Sequence, residues 1–218
     1  MTHAMLRCVA LTFCFSMVGC SVLSPRPDRS RFFKLTAMST TSGDGEAASS
    51  SSIAGSAPVY GLGPVKLPAY LDRNELATRV SPTEVTYSTT DRWAEPLAAT
   101  FTAVLLQDLS VLLDTNHILA YPWAERVDYQ VEVDVSQFDC DSSGNTRLVA
   151  RWRVRDVRND TYLVAKETTA AHSQTPGDNG ARVAALSDAL RDLSQDIAGA
   201  LRHLPAPAAP PTSKPRRK

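Results

Sequence analysis

The sequence predicts an α/β domain with a mixed or mainly antiparallel sheet and two principal helices. Three observations predict it. Apolar and polar residues alternate strictly from Val127 to Val135, and Leu148, Ala150, Trp152 and Val154 then alternate with Arg151, Arg153 and Arg155, the period of half-buried strands. Apolar residues recur at spacings of three and four from Leu97 to Leu112 and from Val183 to Leu204, the period of helices packed on one side. Shorter apolar runs between proline, glycine and serine breakers supply the remaining strands. The chain has 218 residues, of which 43% are hydrophobic, an ordinary globular fraction. Both ends lack core-like sequence, which leaves one domain of roughly 150 residues.

In chain order, Arg31–Leu35 reads as a first strand, and residues 39–57, rich in Ser, Gly, Thr and Ala, as a flexible insertion that cannot bury enough apolar surface to fold. Val59–Leu67 is a strand ended by Pro68; Leu76–Val80 and Val85–Ser88 are short strands separated by Ser81-Pro82. Pro96 suits a first helical turn, where its missing N–H costs nothing. Leu97, Phe101, Val104, Leu105, Leu109 and Leu112 then form one apolar face. Ile118–Tyr121 is a short strand closed by Pro122. In the next strand Val127, Tyr129, Val131, Val133 and Val135 alternate with Asp128, Gln130, Glu132 and Asp134. Asp139–Asn145 reads as a turn, and Leu148, Ala150, Trp152 and Val154 then alternate with Arg151, Arg153 and Arg155. Paired as a hairpin, the acidic face of one strand lies beside the basic face of the other, at roughly 0.2–1 kcal/mol per cross-strand pair. Tyr162–Ala170 is a further strand. The loop Thr175–Gly180 supplies candidate helix caps. The last helix carries a narrow stripe of Val183, Leu186, Leu190, Leu193, Ile197, Leu201 and Leu204 and ends at Pro205. The stripe suits packing on the sheet, and its repeat is short for a coiled coil. No convincing internal repeat is present.

The amino terminus carries an address. Arg7 precedes the uncharged run Cys8–Val18, whose length fits a signal sequence and is short for a bilayer span. The run closes on Met17-Val18-Gly19-Cys20, which resembles the lipobox of bacterial lipoproteins, with Met17 where leucine is usual. That resemblance implies cleavage after residue 19 and lipidation of Cys20. At about 0.8 kcal/mol per buried CH₂, several acyl chains anchor stably where one does not. Ser21 follows; the resemblance associates aspartate there with inner-membrane retention, so serine implies an outer-membrane lipoprotein facing the periplasm. Residues 20–30, with Pro25 and Pro27, read as a lipidated tether, residues 31–204 as the folded domain, and 205–218 as a disordered Pro-rich basic tail. With Cys20 lipidated, Cys140 is the single thiol of the mature domain, which leaves no internal disulfide and no multi-cysteine zinc site.

Chemistry is sparse. Lys+Arg and Asp+Glu each number 23, a balance that argues against nucleic acid as a partner. Gly61-Leu62-Gly63-Pro64 lacks the third glycine of a dinucleotide fingerprint and leads into Val65-Lys66-Leu67-Pro68 rather than a helix. There is no Walker sequence and no nucleophile elbow. His117, His172 and His203 are far apart and lack ligand partners at metal spacing, and Asp139-Cys140-Asp141 reads as an acidic hairpin turn. No catalytic constellation, metal or cofactor is therefore expected. Three clusters of aromatic, proline and charged residues at element ends are the candidate interface: Leu67, Pro68, Tyr70, Leu71 and Arg73; Arg92, Trp93 and Pro96; and Tyr121 and Trp123. Trp and Tyr suit half-buried contact surfaces; the same residues also suit packing on a sheet edge.

These segments carry a family resemblance. After the lipobox come Gly-Pro-Val-Lys-Leu-Pro-Ala-Tyr-Leu-Asp-Arg (63–73), Arg79, Arg92-Trp93-Ala94-Glu95-Pro96-Leu97, Tyr121-Pro122-Trp123 and the strand Asp128–Asp139. The order resembles the PqiC/YmbA-type ABC transport auxiliary lipoproteins, also described as membrane-integrity-associated transporter subunits, over about Phe32 to Leu204. The insertion at 39–57 departs from the compact pattern. The resemblance implies a three-layer α/β sandwich with a mixed sheet. It implies a non-enzymatic outer-membrane lipoprotein that serves as docking component for phospholipid or hydrophobic-compound transport. Its partners would be an MCE-type (mammalian cell entry) protein spanning the periplasm and an inner-membrane ABC permease and ATPase complex, with self-association into a ring as a further expectation. The alternative is a structural envelope lipoprotein that assists outer-membrane assembly or integrity without transport.

Overall fold

The structure, a computed structural model, describes residues 28–38 and 57–205. The signal run, Cys20, nearly all of the 39–57 insertion and the tail after Pro205 lie outside the described residues. Contacts divide the chain after Ser30 into Met1–Ser30 and Arg31–Lys218. In the first unit the Asp28 carboxylate accepts the Ser30 N–H at 2.9 Å. The remainder of the description concerns the second.

Its elements are β1 (Arg31–Phe33), β2 (Tyr60–Lys66), a 3₁₀ turn (Ala69–Leu71), β3 (Glu75–Ser81), β4 (Glu84–Trp93), α1 (Leu97–Leu113), β5 (Ile118–Ala120), β6 (Tyr129–Asp141), β7 (Asn145–Asp156), β8 (Thr161–Ser173) and α2 (Asn179–Leu201). All eight strands belong to one mixed sheet. β6, β7 and β8 form an antiparallel meander. On its other edge β6 pairs in parallel with β2 through Tyr129–Asp134 and with β3 at Cys140 and Asp141. β5 extends β2, while β4 and then β1 extend β3. The sheet thus forks along β6, whose thirteen residues span roughly 43 Å at ~3.3 Å per residue.

Alternation decides which side is buried. Val131, Val133 and Val135 stand opposite Val154, Trp152 and Ala150, and all are within the core. The intervening Gln130, Glu132 and Asp134 share the other face with Arg155, Arg153 and Arg151. α1 and α2 pack on each other and against the apolar face. The mixed sheet and two principal helices are those the sequence predicts. Both helices lie on one side, and over β6–β8 the other side is a solvated charged surface.

α1 buries Leu97, Phe101, Val104, Leu105 and Leu109, with Leu112 half-buried. Pro96 sits one residue before the helix, where its carbonyl accepts the N–H groups of Ala99 and Thr100. Phe101 meets Phe138 of β6 edge-to-face at 5.1 Å. Asp178 caps α2, accepting from Gly180 and Ala181 N–H at 2.8 and 3.1 Å. The apolar stripe of α2 is broader than its large residues suggest. Ser187, Ala189, Ser194 and Ala198 are also buried, because this helix touches both the sheet and α1. Trp152 donates from Nε1 to Thr168 Oγ1 at 2.9 Å, and Thr168 donates to Asp196 of α2 at 2.7 Å. This relay fixes the helix on the meander.

The turn between β6 and β7 is tighter than the sequence indicates. β6 continues through Asp141 and β7 starts at Asn145, leaving three residues between them. The Asp141 carboxylate accepts the N–H groups of Ser143 and Asn145 at 2.9 and 2.8 Å, an Asx-type closure. Gly144 has φ +88°, and a Cβ there would lie 2.3 Å from the Gln174 carbonyl oxygen. Cys140 is a buried free thiol.

Two carboxylates fasten the first strand and the chain after it. Asp91 is buried and accepts from Arg31 Nε at 2.7 Å, from Ser88 Oγ at 3.2 Å and from the Asn179 amide. The Arg31 guanidinium holds the Asp91 carboxyl below its ordinary pKa. Beyond β1, Leu35 is buried, Thr36 N–H donates to Ser187 Oγ at 3.1 Å and Met38 N–H donates to Asp108 Oδ1 at 2.7 Å. Asp108 also accepts from Ser194 Oγ at 3.2 Å, so the segment is tied across both helices.

Burial pushes the Asp108 pKa above its ordinary 3.8, against the bonds from Met38 and Ser194 and the charge of Arg191. A carboxyl raised in the folded state favours folding fully below its unfolded pKa, and that contribution is lost as pH rises through the folded value. Asp108→Asn keeps an acceptor for Met38 and lets its amide donate to Ser194, which already donates to Leu190 O at 2.9 Å. The expected outcome in denaturant melts is a variant whose stability relative to wild type rises from about pH 3.8 upward and then levels off. An advantage that shrinks with rising pH contradicts this account.

Candidate functional site

The polar face of the sheet gathers three groups of side chains along β6. At its start lies an aromatic plate. The Trp123 ring covers Gly61 of β2: a Cβ on Gly61 would fall 2.9 Å from two ring carbons. Tyr121 stands edge-on to Trp123 at 5.4 Å and 83°, and a Cβ on Gly63 would fall 2.7 Å from its Cβ. Since Tyr60 and Leu62 point into the core, Gly61 opens onto the opposite side and leaves room for the indole. Tyr121 remains 57% exposed.

The middle is a charge ladder. Arg153 bridges Glu132 at 2.6 Å and lies over the Tyr162 ring at 4.6 Å. Arg151 stands opposite both Asp134 and Glu167 and bonds to Glu167 at 2.9 Å. Arg155 donates to Gln130 at 2.6 Å and Asp160 at 2.7 Å, and Gln130 donates to the Gly63 carbonyl at 2.9 Å. Arg158 closes the series on Asp128 at 2.6 Å. The expected pairing of an acidic strand with a basic one is thus present, though Arg151 turns toward β8 instead of β6. Between β2 and β7 the ladder leaves a groove of about 420 Å³ lined by Pro64, Lys66, Glu132, Val133, Asp134, Ser136, Arg151 and Arg153.

At the far end is a clamp. Asp139 is buried in β6, not in a turn. Arg79 of β3 holds it with two nitrogens, Tyr70 donates to it at 2.6 Å and Gln137 donates at 3.0 Å. A forked guanidinium with further donors lets a strand bury a carboxylate. Burial, then the bond to Asp139, raises the Tyr70 hydroxyl well above its ordinary pKa. Tyr87 donates to the Tyr70 carbonyl at 3.1 Å, and Arg73 lies over the Tyr87 ring at 4.4 Å, near Glu75.

The candidate residues therefore fall into three places. Tyr70 and Leu71 lie in the 3₁₀ turn of the clamp, with Pro68 just before it accepting the Leu71 N–H and Leu71 in the core; Arg73 follows it and Leu67 is half-buried against the core. Tyr121 and Trp123 form the plate. Trp93 is a core residue, while Arg92 and Pro96 are exposed at the end of β4 and the entry to α1. Cys20 lies outside the described residues. The alternating strands announce the ladder in the sequence; the Asp139 clamp is not announced, because Arg79 lies sixty residues away. Among the described residues no three His, Cys, Asp or Glu side chains gather to hold a metal ion, and no helix is long and apolar enough to cross a membrane.

A family model described as the ABC-type transport auxiliary lipoprotein component matches residues 42–198. The chain belongs to this family. It is a family of auxiliary transport lipoproteins. Among solved structures, the crystal structure of an uncharacterized protein superposes with a TM-score of 0.63 at 16% identity, covering 79% of this chain and 98% of the other. A Xanthomonas campestris protein of the DUF330 family gives 0.61 at 16% identity, covering 79% and 94%. At that identity the likeness shows the shared fold. No curated protein matches the sequence. Membership associates this auxiliary lipoprotein with an ABC-type transport system.

Two outcomes test this geometry. Gly61→Ala displaces the Trp123 ring, and tryptophan emission shifts to the red while circular dichroism keeps its folded signature. Arg79→Ala leaves the Asp139 charge buried and lowers unfolding stability by about 3 kcal/mol; adding Asp139→Asn recovers most of the loss. If both single and double variants melt alike, the clamp does not hold β3 to β6.

Proposed function

We propose that this auxiliary lipoprotein is a non-enzymatic docking component anchored through Cys20 in the outer membrane and facing the periplasm. There it receives an MCE-type protein that spans the periplasm from an inner-membrane ABC permease and ATPase complex, and so serves movement of phospholipid or another hydrophobic compound through the envelope. The observation that carries the reading is the family match over residues 42–198. Two features of the chain support it. The Met17–Cys20 sequence suits lipid attachment. The exposed face of opposed charges and aromatic rings suits contact with a protein, since such groups give orientation and specificity more than raw affinity.

The test is recovery of partners from native membranes after mild crosslinking, with tagged wild type and tagged Cys20→Ala identified by mass spectrometry. The expected result is an MCE-type protein or ABC subunits with wild type and a marked loss with Cys20→Ala. Recovery of outer-membrane assembly proteins alone would instead support the structural envelope role.

A further inference from the structure

The chain enters the sheet at a corner. Among the described residues β1 pairs only with β4, and Phe32 at its centre is 64% exposed, more than any other large apolar side chain described. Alternation sets its direction. Phe33 and Leu35 turn toward the core, so Phe32 and Lys34 turn away from it. Arg92 of β4 lies directly opposite Phe32 and projects on the same side. Lys34 and Arg92 are exposed, and among the described residues neither takes part in an ion pair. The carboxylates beside them are engaged elsewhere: Asp91 holds Arg31 at 2.7 Å, and Glu75, opposite Arg92 on β3, is held by Arg73 at 3.5 Å. One further acidic residue, Glu95, is exposed in the link to α1. An aromatic ring is thus set between two unpaired cations.

That combination suits a bilayer surface. Aromatic rings concentrate at the membrane interface, and long basic side chains beside them reach the phosphates. A protein partner ordinarily needs a broader apolar centre than one ring. The chain ahead of β1 brings such a surface within reach. Phe32 follows Cys20 by twelve residues, so at ~3.6 Å per residue their Cα atoms are never more than about 43 Å apart. A lipid on Cys20 therefore presents the membrane to this corner at high effective concentration, and a patch too weak to bind lipid alone engages once tethered. We infer that Phe32, Lys34 and Arg92 form a membrane-contact site that seats the β1 corner on a bilayer carrying anionic lipid. The site adds a non-covalent contact to the covalent anchor and gives the domain one orientation on the membrane. It rests on lipidation of Cys20, as proposed above, and is independent of which transport partner the protein meets.

The test uses the full chain purified from membranes and reconstituted in vesicles of phosphatidylethanolamine and phosphatidylglycerol. A nitroxide is attached at Phe32→Cys and, for comparison, at Tyr162→Cys on β8, where the native side chain is 49% exposed. Protein without either substitution, labelled in parallel, reports any reaction at Cys140. The expected result from electron paramagnetic resonance is that position 32 meets oxygen more often than position 162 and meets a water-soluble nickel chelate at least about fivefold less often. Lys34→Glu with Arg92→Glu restores nickel access at position 32 and leaves the thermal melt unchanged, and replacing the anionic lipid with phosphatidylcholine restores it too. Equal nickel access at both positions, in protein whose intact mass shows a lipidated Cys20, overturns the inference. Protection that survives the charge reversal also overturns it. So does protection seen only at high protein density, because a second copy then covers the patch. An intact mass without lipid refutes the anchor itself, and the membrane site with it.

Discussion

Both edges of β6 are occupied, and the other parts of the sheet take their places from it. One edge carries β7 along nearly its whole length, and the other carries β2 first and β3 afterwards. A strand buried in that way must satisfy its main-chain groups on both sides, so its neighbours are fixed in register before their side chains contribute. The irregularity at Val135/Gln137 of β6 falls where β2 gives way to β3, whereas that at Leu62/Val65 of β2 lies within the β2 pairing. The 3₁₀ turn at Ala69–Leu71 fills the interval, and Asp139 with Arg79 and Tyr70 fastens the second branch. Without that fastening, β3 would hold β6 through only Thr78 and Arg79.

The two faces of the same strands have different work. On the helix side, large apolar residues from β6 and β7 interlock with α1 and α2, and the few polar groups there include bonded relays such as Trp152–Thr168–Asp196. On the opposite side, side chains are held by one another. An exposed ion pair contributes little to stability, typically below ~1 kcal/mol, so the Arg151–Glu167 and Arg153–Glu132 pairs do little to hold the fold together. The ladder keeps a broad surface polar and ordered, with rings of Tyr121 and Tyr162 set among the charges. A surface so arranged suits selective contact by an auxiliary subunit better than burial under a further layer of its own chain.

Much of this was legible in the sequence because periodicity is local. The alternation of Val131, Val133 and Val135 with Glu132 and Asp134, and the stripe of Leu186, Leu190, Leu193 and Ile197, declare both their elements and their buried faces. What was not legible depends on pairs far apart in the chain. Asp139 reads as a turn residue until Arg79 and Tyr70 are placed beside it. Gly61 reads as one residue of a strand, whereas its missing side chain serves Trp123 across the neighbouring strand. The small residues Ser187, Ala189, Ser194 and Ala198 hide the second contact of α2, since a hydrophobic stripe marks large side chains and helix packing also uses small ones. β4 runs to Trp93, well past the expected Ser88, because β1 and β3 supply partners that a local reading does not see.

The fastening of β1 has a mechanical meaning. Any tension carried by the chain ahead of Arg31 enters the domain through three parallel backbone pairs and the Asp91 carboxylate, which also grips Asn179 at the head of α2. The next residues hand the load to Ser187 and Asp108 on the two helices. A pull is thus spread over β4, α1 and α2 within eight residues of its entry, and the face bearing the charge ladder stays out of the load path.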